Sequence, residues 1–346
     1  MKNRNIQMLR GVSIILVLIA HADTVYWEEL KSIKKYIDPT IGVDLFFIIS
    51  GYLMGATFIR KVLFDINLKH TISFYIKRLN RLFVPCLFWS FIVFALFDYW
   101  HLAGFIKTQE QAFKIFISSA TFTGNIYNSI KPSGFGYFWS LGVEFQFYLI
   151  LPLILLICKD MKSLIILLVI MLGFYTCVLS LFPESWQYRA NALYIGLLIW
   201  CVTQSEGYHE IKKSINNNGC VYICFIVGAL ILAALCLSPA LYKVHGVSFT
   251  AISILLGLAF FICVCMDKPI AAFISKPIEF IGDISFSLYL CNIPVYIFVS
   301  REMFTRGMGK PETMIVSVVL SIAVATASRY TLEKIDFIKL NKNLVR

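Results

Sequence analysis

Charge is scarce in this chain. Lys, Arg, Asp and Glu together make up 15% of its 346 residues, where a soluble globular domain carries roughly a quarter. With 59% hydrophobic residues and a mean hydropathy of +0.77, that shortage excludes an ordinary water-soluble domain. The 30 Phe and 17 Tyr fit lipid as solvent better than one very large aqueous core. Also missing are a Pro/Ser-rich linker, a low-complexity tract and an obvious internal repeat. No paired CxxC motif occurs, which leaves zinc and disulfide readings weak. The ten cysteines (Cys86, Cys158, Cys177, Cys201, Cys220, Cys224, Cys236, Cys263, Cys265 and Cys291) lie in or beside apolar runs and are expected to be buried apolar fillers. No small-residue cleavage site follows the first apolar run, so a retained helix is expected there rather than a signal peptide. Acidic residues are the scarcer sign, 20 against 31 basic, for a net charge of +11. In a soluble protein that balance would suggest nucleic acid. Here the basic residues sit between apolar segments, where they set topology and meet lipid or an anionic substrate.

What the chain has in quantity is apolar length. A bilayer core of ~30 Å needs ~20 helical residues, and ten windows qualify: 7–24, 41–60, 82–101, 138–158, 163–182, 189–204, 219–238, 248–266, 281–300 and 313–332. The expected fold is an all-α integral membrane protein of about ten transmembrane helices, one polytopic domain over residues 1–346 with no separate soluble domain. The first window carries Arg10 and His21, and the sixth is short. Ten spans put both termini on one side. A cytoplasmic N-terminus places twenty of the 31 Lys and Arg inside and eleven outside, so both ends are expected in the cytoplasm. Two connections are long. Residues 61–81 form a basic, partly amphipathic cytoplasmic segment. Residues 102–137 form an outside segment with Gly124, Pro132, Gly134 and Gly136 near its end; such a segment covers a site or re-enters the membrane.

Ionisable residues within spans are costly in lipid and raise functional hypotheses by default. Arg10 and His21 are eleven residues apart, about 20° past three full helical turns, so they share one face about 16 Å apart. Two readings stand: Arg10 at the headgroups with His21 in an interhelical hydrogen bond, or a cation near the cytoplasm below a titratable imidazole suited to take a hydroxyl proton. In the second window, Gly42-Val43-Asp44-Leu45-Phe46-Phe47-Ile48-Ile49-Ser50-Gly51-Tyr52, Asp44 lies near the outer end, and Ser50 and Gly51 permit close packing. Arg78 and Arg81 are i,i+3 neighbours, either a positive-inside anchor or a pair of guanidinium forks for phosphate. Glu144 and Gln146 interrupt the apolar run after Trp139. A carboxyl buried there needs a partner or must be neutral, and His21 or an Arg would serve. Asn292 reads as helix–helix glue, and Pro294 two residues on suggests a kink.

Together these segments resemble the acyltransferase family 3 membrane proteins. Arg10 and His21 fit the family's R-x10-H. Gly42 to Tyr52 is similar to its G-V-D-L-F-F-x-x-S-G-Y, Arg78 and Arg81 before Pro85 to its R-x-x-R, Trp139 to Tyr148 to its W-S-L-x-V-E-x-Q-F-Y, and Tyr289 to Pro294 to its Y-L-x-H-x-P. Five motifs in order cover nearly the whole chain. Asn292 stands where many members have His, and Glu333 lacks the Pro that often follows. The resemblance implies an O-acyltransferase of the bacterial cytoplasmic (inner) membrane. It would move an acyl group, acetyl first, from cytoplasmic acetyl-CoA to a hydroxyl of a surface carbohydrate such as an O-antigen of lipopolysaccharide or an exopolysaccharide. Peptidoglycan or a lipid-linked sugar are further acceptors, and no metal is implied. It assigns His21 as base or transient acyl carrier, with Glu144 and Arg10 beside it. Arg78, Arg81 and Arg10 would hold CoA phosphates, and Asp44, Tyr52, Trp139 and Asn292 would shape the acceptor site. No C-terminal extracellular hydrolase-like domain of the kind some members carry is read here, so direct delivery is expected rather than a two-step relay. A transporter or flippase of a glycan or small anionic metabolite is the competing reading, since it too needs His, Glu and Arg in the membrane.

Overall fold

The computed structural model describes residues 3–22, 35–62, 66–102, 106–130, 135–217, 219–241, 246–269 and 274–338, and no strand occurs among them. The helices are α1 (Arg4–Ala22), α2 (Ile41–Met54), α3 (Leu68–Ala95), α4 (Phe97–Leu102), α5 (Gln109–Ala120), α6 (Gly124–Ile130), α7 (Trp139–Ile157) and α8 (Met161–Leu181). They continue as α9 (Asn191–Val202), α10 (Tyr208–Asn217), α11 (Cys220–Leu241), α12 (Gly246–Cys265), α13 (Ser275–Asp283), α14 (Ser285–Thr305) and α15 (Lys310–Tyr330). Pro132, Gly134 and the basic residues Lys2, Lys31, Lys34, Lys131, Lys243, Lys339, Lys342 and Arg346 lie outside the described residues.

All ten apolar windows are helical, but among the described residues eight helices are long and apolar enough to cross a bilayer. A ninth arises if α13 and α14, bent by 75° at their junction, are taken as one span. The expected sixth span is the 12-residue α9, about 18 Å long and too short for a ~30 Å core. It is cut short at its start by the 3-10 turn Pro183–Tyr188 and the buried Arg189. The third span also differs. It starts at Leu68, where the Asn67 side chain accepts from the His70 amide at 2.8 Å and caps the helix. Arg78 and Arg81 therefore sit inside a 28-residue helix, not in a separate cytoplasmic segment. At about 42 Å that helix exceeds the core by about 12 Å. α8 opens on Asp160, whose carboxylate accepts from the Ser163 amide; that bond holds the carboxyl below the usual carboxylate range.

The chain divides into two compact units. The first comprises Met1–Ala20, Glu29–Asp65 and Ile154–Ser285. Its helices meet backbone to backbone. A Cβ on Gly51 would lie 2.0 Å from the Leu193 carbonyl oxygen, and one on Gly196 would lie 2.0 Å from that of Ile48. Small residues allow this approach where lipid supplies no hydrophobic drive between helices. Gly11 and Gly282 do the same for α1 and α13, meeting the carbonyls of Ile278 and Gln7. Asp44, one turn into α2, is buried against Arg189, with 3.1 and 3.4 Å from the guanidinium to the carboxylate. The Arg189 guanidinium also lies 5.0 Å from the Phe249 ring centroid and 5.5 Å from that of Trp186. A buried ion pair needs such full engagement to offset desolvation of both charges.

The second unit comprises His21–Glu28, Ile66–Leu153 and Phe286–Arg346. Within it α5 packs along α3. Phe113 meets Phe94, Phe116 meets Phe91, and deeper along the helix the Cys86 thiol donates to the Ser119 carbonyl. The turn after α5 places Phe122 at φ 56°, stacked on Phe145 at 4.2 Å. α6 is tied to α7 by a reciprocal amide pair: Asn125 donates to Gln146 at 3.0 Å and Gln146 to Asn125 at 2.9 Å. A Cβ at Gly142 would meet the Asn125 amide oxygen at 2.6 Å, so a glycine is required beside that pair.

Of the nine cysteines with described side chains, all free, six are buried, Cys224 is intermediate, and Cys177 and Cys236 are exposed. The expectation that all are buried fails for these two because α8 and α11 present apolar outer faces, with Phe174 and Leu232 exposed beside them.

Gly51→Ala is expected to destabilise the detergent-solubilised protein by about 1–3 kcal/mol through overpacking. Gly228→Ala, with nothing within 4 Å, is expected to be neutral or up to about 1 kcal/mol stabilising; thermal unfolding of the two checks both. Asp44→Ala leaves a buried guanidinium without its carboxylate and is expected to cost about 3–5 kcal/mol. Replacing both partners by apolar residues should recover much of that loss in the same assay.

Candidate active site

Pro294 is the tenth residue of α14. It has no amide hydrogen, so the carbonyl of Leu290, four residues back, loses its helical donor. The Tyr137 hydroxyl donates to that carbonyl instead, at 2.9 Å. Tyr137 sits in the 3-10 turn Gly136–Phe138 that leads into α7, so the proline gap on one helix fixes the start of another. The Tyr137 carbonyl in turn accepts from the Tyr289 hydroxyl at 2.6 Å. A carbonyl only accepts, so the single Tyr289 proton is committed there. Ser140 Oγ must then donate to the Tyr289 oxygen, 2.7 Å away.

The Asn292 side chain, fully buried, lies beside this network. Its Nδ2 donates to the carbonyls of Leu288 at 2.9 Å and Tyr289 at 2.6 Å. Its Oδ1 lies 2.6 Å from Nδ1 of His21. His21 is half-buried in the last turn of α1. The rings of Tyr137 and Tyr289 pack beside its imidazole, with centroids at 6.1 and 6.4 Å. Four of the five sequence motifs place residues in this unit: His21, Arg78 and Arg81, Trp139 with Glu144, and Asn292.

Arg78 lies deeper in aromatic company than an anchoring charge requires. Its guanidinium is 5.5 Å from the Phe74 ring centroid and 5.3 Å from that of Tyr148, and the Tyr148 hydroxyl donates to Glu144. Glu144 thus shares a cluster with Arg78. Between Arg78 and Arg81, Asn80 makes a two-way bond with the backbone of Ile338, at 2.8 and 2.9 Å. This pins the chain after α15 onto the basic turn of α3. Glu333, largely buried, accepts from Arg329 at 2.7 Å and from Ser287 at 2.5 Å.

Arg10, Asp44 and Tyr52 belong to the first unit. Arg10 donates to Ser285 Oγ at 3.0 Å and to Gln7 Oε1 at 3.5 Å. Asp44 is engaged by Arg189. Tyr52 is half-buried, with Phe260 edge-on to its ring at 5.2 Å. Trp139 is buried at the first position of α7. Among the described residues no group of three or more His, Cys, Asp or Glu could hold a metal ion.

The sequence reading missed Tyr137, Ser140 and Arg189. A signal existed for two of them. Pro294 announces an unpaired carbonyl at Leu290 that needs a donor, and a carboxylate as deep as Asp44 demands a cation.

Comparison with known proteins agrees with the family resemblance. Residues 3–330 match the acyltransferase 3 family model, described as an acyltransferase domain. The chain is 25% identical over 343 residues to "O-acetyltransferase OatA" of Staphylococcus aureus (strain NCTC 8325 / PS 47), covering 92% of this chain and 55% of that protein. It is 26% identical over 326 residues to "Peptidoglycan O-acetyltransferase OatA" of Listeria monocytogenes (84% and 49% covered). It is 23% identical over 334 residues to "Putative peptidoglycan O-acetyltransferase YrhL" of Bacillus subtilis (85% and 50% covered). The chain spans about half the length of these curated relatives. No solved structure matches. With residues 3–330 matched to the family model and His21 seated against Tyr289 and Asn292 of the last motif, the chain belongs to the acyltransferase 3 family.

Proposed function

We propose that this protein is a membrane O-acyltransferase that moves an acetyl group from the thioester of cytoplasmic acetyl-CoA to a hydroxyl of a bacterial cell-envelope carbohydrate. One observation carries the reading: a half-buried histidine on the first apolar helix is held by a hydrogen bond inside a unit that also contains Arg78, Arg81 and Glu144. Three relatives named as O-acetyltransferases, two of them of peptidoglycan, favour acetyl as the acyl group and a cell-wall glycan as the first acceptor to test. An O-antigen or exopolysaccharide is the next.

The chemistry needs a base for the hydroxyl proton, charge stabilisation for a tetrahedral oxyanion, and a grip on the donor's phosphates. His21 supplies the base. Arg78 and Arg81, on consecutive turns of α3, supply guanidinium forks suited to phosphate oxygens. Arg10, held by Ser285, is a cation of the first unit. Glu144 works through Tyr148 and Arg78, keeping the guanidinium in place. Asp44 acts through Arg189, by holding α2, rather than on substrate. Trp139 lines the acceptor path. The enzyme works in the bacterial cytoplasmic membrane with both termini inside, as one catalytic domain.

Mass spectrometry of cell-wall and other surface glycans tests this in four strains: parent, deletion, deletion with wild type, and deletion with His21→Ala at equal membrane level. The acetyl increment is expected to vanish on deletion, return with wild type and stay at least 100-fold reduced with His21→Ala, the scale of general-base catalysis. An increment restored by His21→Ala removes His21 from the chemistry. Glycans that never differ between parent and deletion leave transport as the reading. In membranes, Arg78→Ala or Arg81→Ala is expected to raise the KM for acetyl-CoA about tenfold, the loss of one charge-assisted bond, with a smaller change in kcat.

A further inference from the structure

Asn292 is a buried amide with both of its ends committed. The nitrogen faces two carbonyl oxygens, of Leu288 and Tyr289, at 2.9 and 2.6 Å. Carbonyls only accept, so rotating the amide would set Oδ1 against two oxygens and lose both bonds. Oδ1 is therefore the atom at 2.6 Å from His21 Nδ1, and it too only accepts. The proton in that contact has to come from the ring.

We infer that Asn292 is a positioning residue that holds His21 in its Nδ1–H tautomer, so that Nε2 is the nitrogen that exchanges protons with the reactants. The inference rests on the acyl-transfer reading above and deepens it. Nδ1 carries hydrogen whether the ring is neutral or cationic, so ring protonation changes Nε2 alone. A neutral amide suits this duty. It orients the imidazole as a carboxylate does in a catalytic triad, but it cannot titrate. The rings of Tyr137 and Tyr289, themselves edge to face at 5.8 Å, pack together beside the imidazole.

The transfer step then balances. The Nε2 lone pair takes the proton from the acceptor hydroxyl as its oxygen bonds to the thioester carbonyl carbon. On collapse the C–S bond breaks, the sulfur leaves with the electron pair, and the proton on Nε2 passes to it. The products are the O-ester and free thiol. Nδ1–H stays with Asn292 throughout, and the ring returns to its starting form.

The test is 15N NMR of the full chain labelled at its five histidines, reconstituted in lipid at a pH about two units above the ordinary histidine value of about 6.5. His21 is assigned by difference from His21→Gln. In the wild type, Nδ1 is expected to be protonated and Nε2 not. Asn292→Leu, which has no acceptor, is expected to move the hydrogen to Nε2 and lower kcat at least 100-fold, with KM for acetyl-CoA within about twofold. Asn292→Asp keeps an acceptor for the ring and is expected to retain the Nδ1–H signal, while its second oxygen facing two carbonyls lowers thermal stability. A wild-type ring protonated on Nε2 overturns the inference, and this outcome needs no variant to fold. The expected spectra with an unchanged kcat in Asn292→Leu overturn the positioning role. Activity retained by His21→Gln sinks the acyl-transfer mechanism instead, and leaves the tautomer assignment to the spectra alone.

Discussion

A missing amide hydrogen orders much of the second unit. Lipid offers a helix no hydrogen-bonding partner, so a carbonyl freed by proline must find one inside the protein. At Leu290 that partner is the Tyr137 hydroxyl. The bond ties α14 to the turn ahead of α7, and Tyr289 and Ser140 extend it in one direction of donation. Asn292 adds an amide nitrogen to the two carbonyls that precede Leu290 by one and two residues. The acceptor at its other end is then available to His21. The geometry at the imidazole thus descends from a defect in a helix ladder.

The first unit meets the same solvent by a different route. Its helices approach until backbones touch at Gly51 and Gly196, and again at Gly11 and Gly282. Dispersion at short range replaces the hydrophobic drive that lipid cannot give. Its deeply buried carboxylate, Asp44, is matched by Arg189 and two aromatic faces. A charge pair of this kind is tolerated because every part of it is engaged, and it fixes where α2 stands against the entry to α9. That entry also delays the start of α9, and the helix of a run expected to span is only 12 residues long.

Arg78 shows how one residue combines duties that the sequence left as alternatives. Its stem and guanidinium are held by Phe74 and Tyr148, and Tyr148 is held by Glu144. The arginine is thereby stiffened within α3 instead of trailing at a headgroup. A stiff fork loses less entropy on meeting a phosphate than a mobile one, which is what the proposed grip on acetyl-CoA would call for.

The sequence determined a good deal by itself. Composition and run length settled the helical membrane character, because few charges and many long apolar stretches allow no other solvent. Five motifs in order settled the family. Spacing put Arg10 and His21 on one helix, and Arg78 beside Arg81. Tertiary structure alone decided which polar groups met. Nothing local says that Asp44 meets Arg189, 145 residues on, or that Gln146 closes on Asn125 rather than standing alone. His21 and Asn292, 271 residues apart, are joined only when helices pack. Pattern reports which face a side chain takes on its own helix. The partner across the interface, and with it the ring nitrogen that keeps its hydrogen, depends on how carbonyls and amides of several helices are satisfied together.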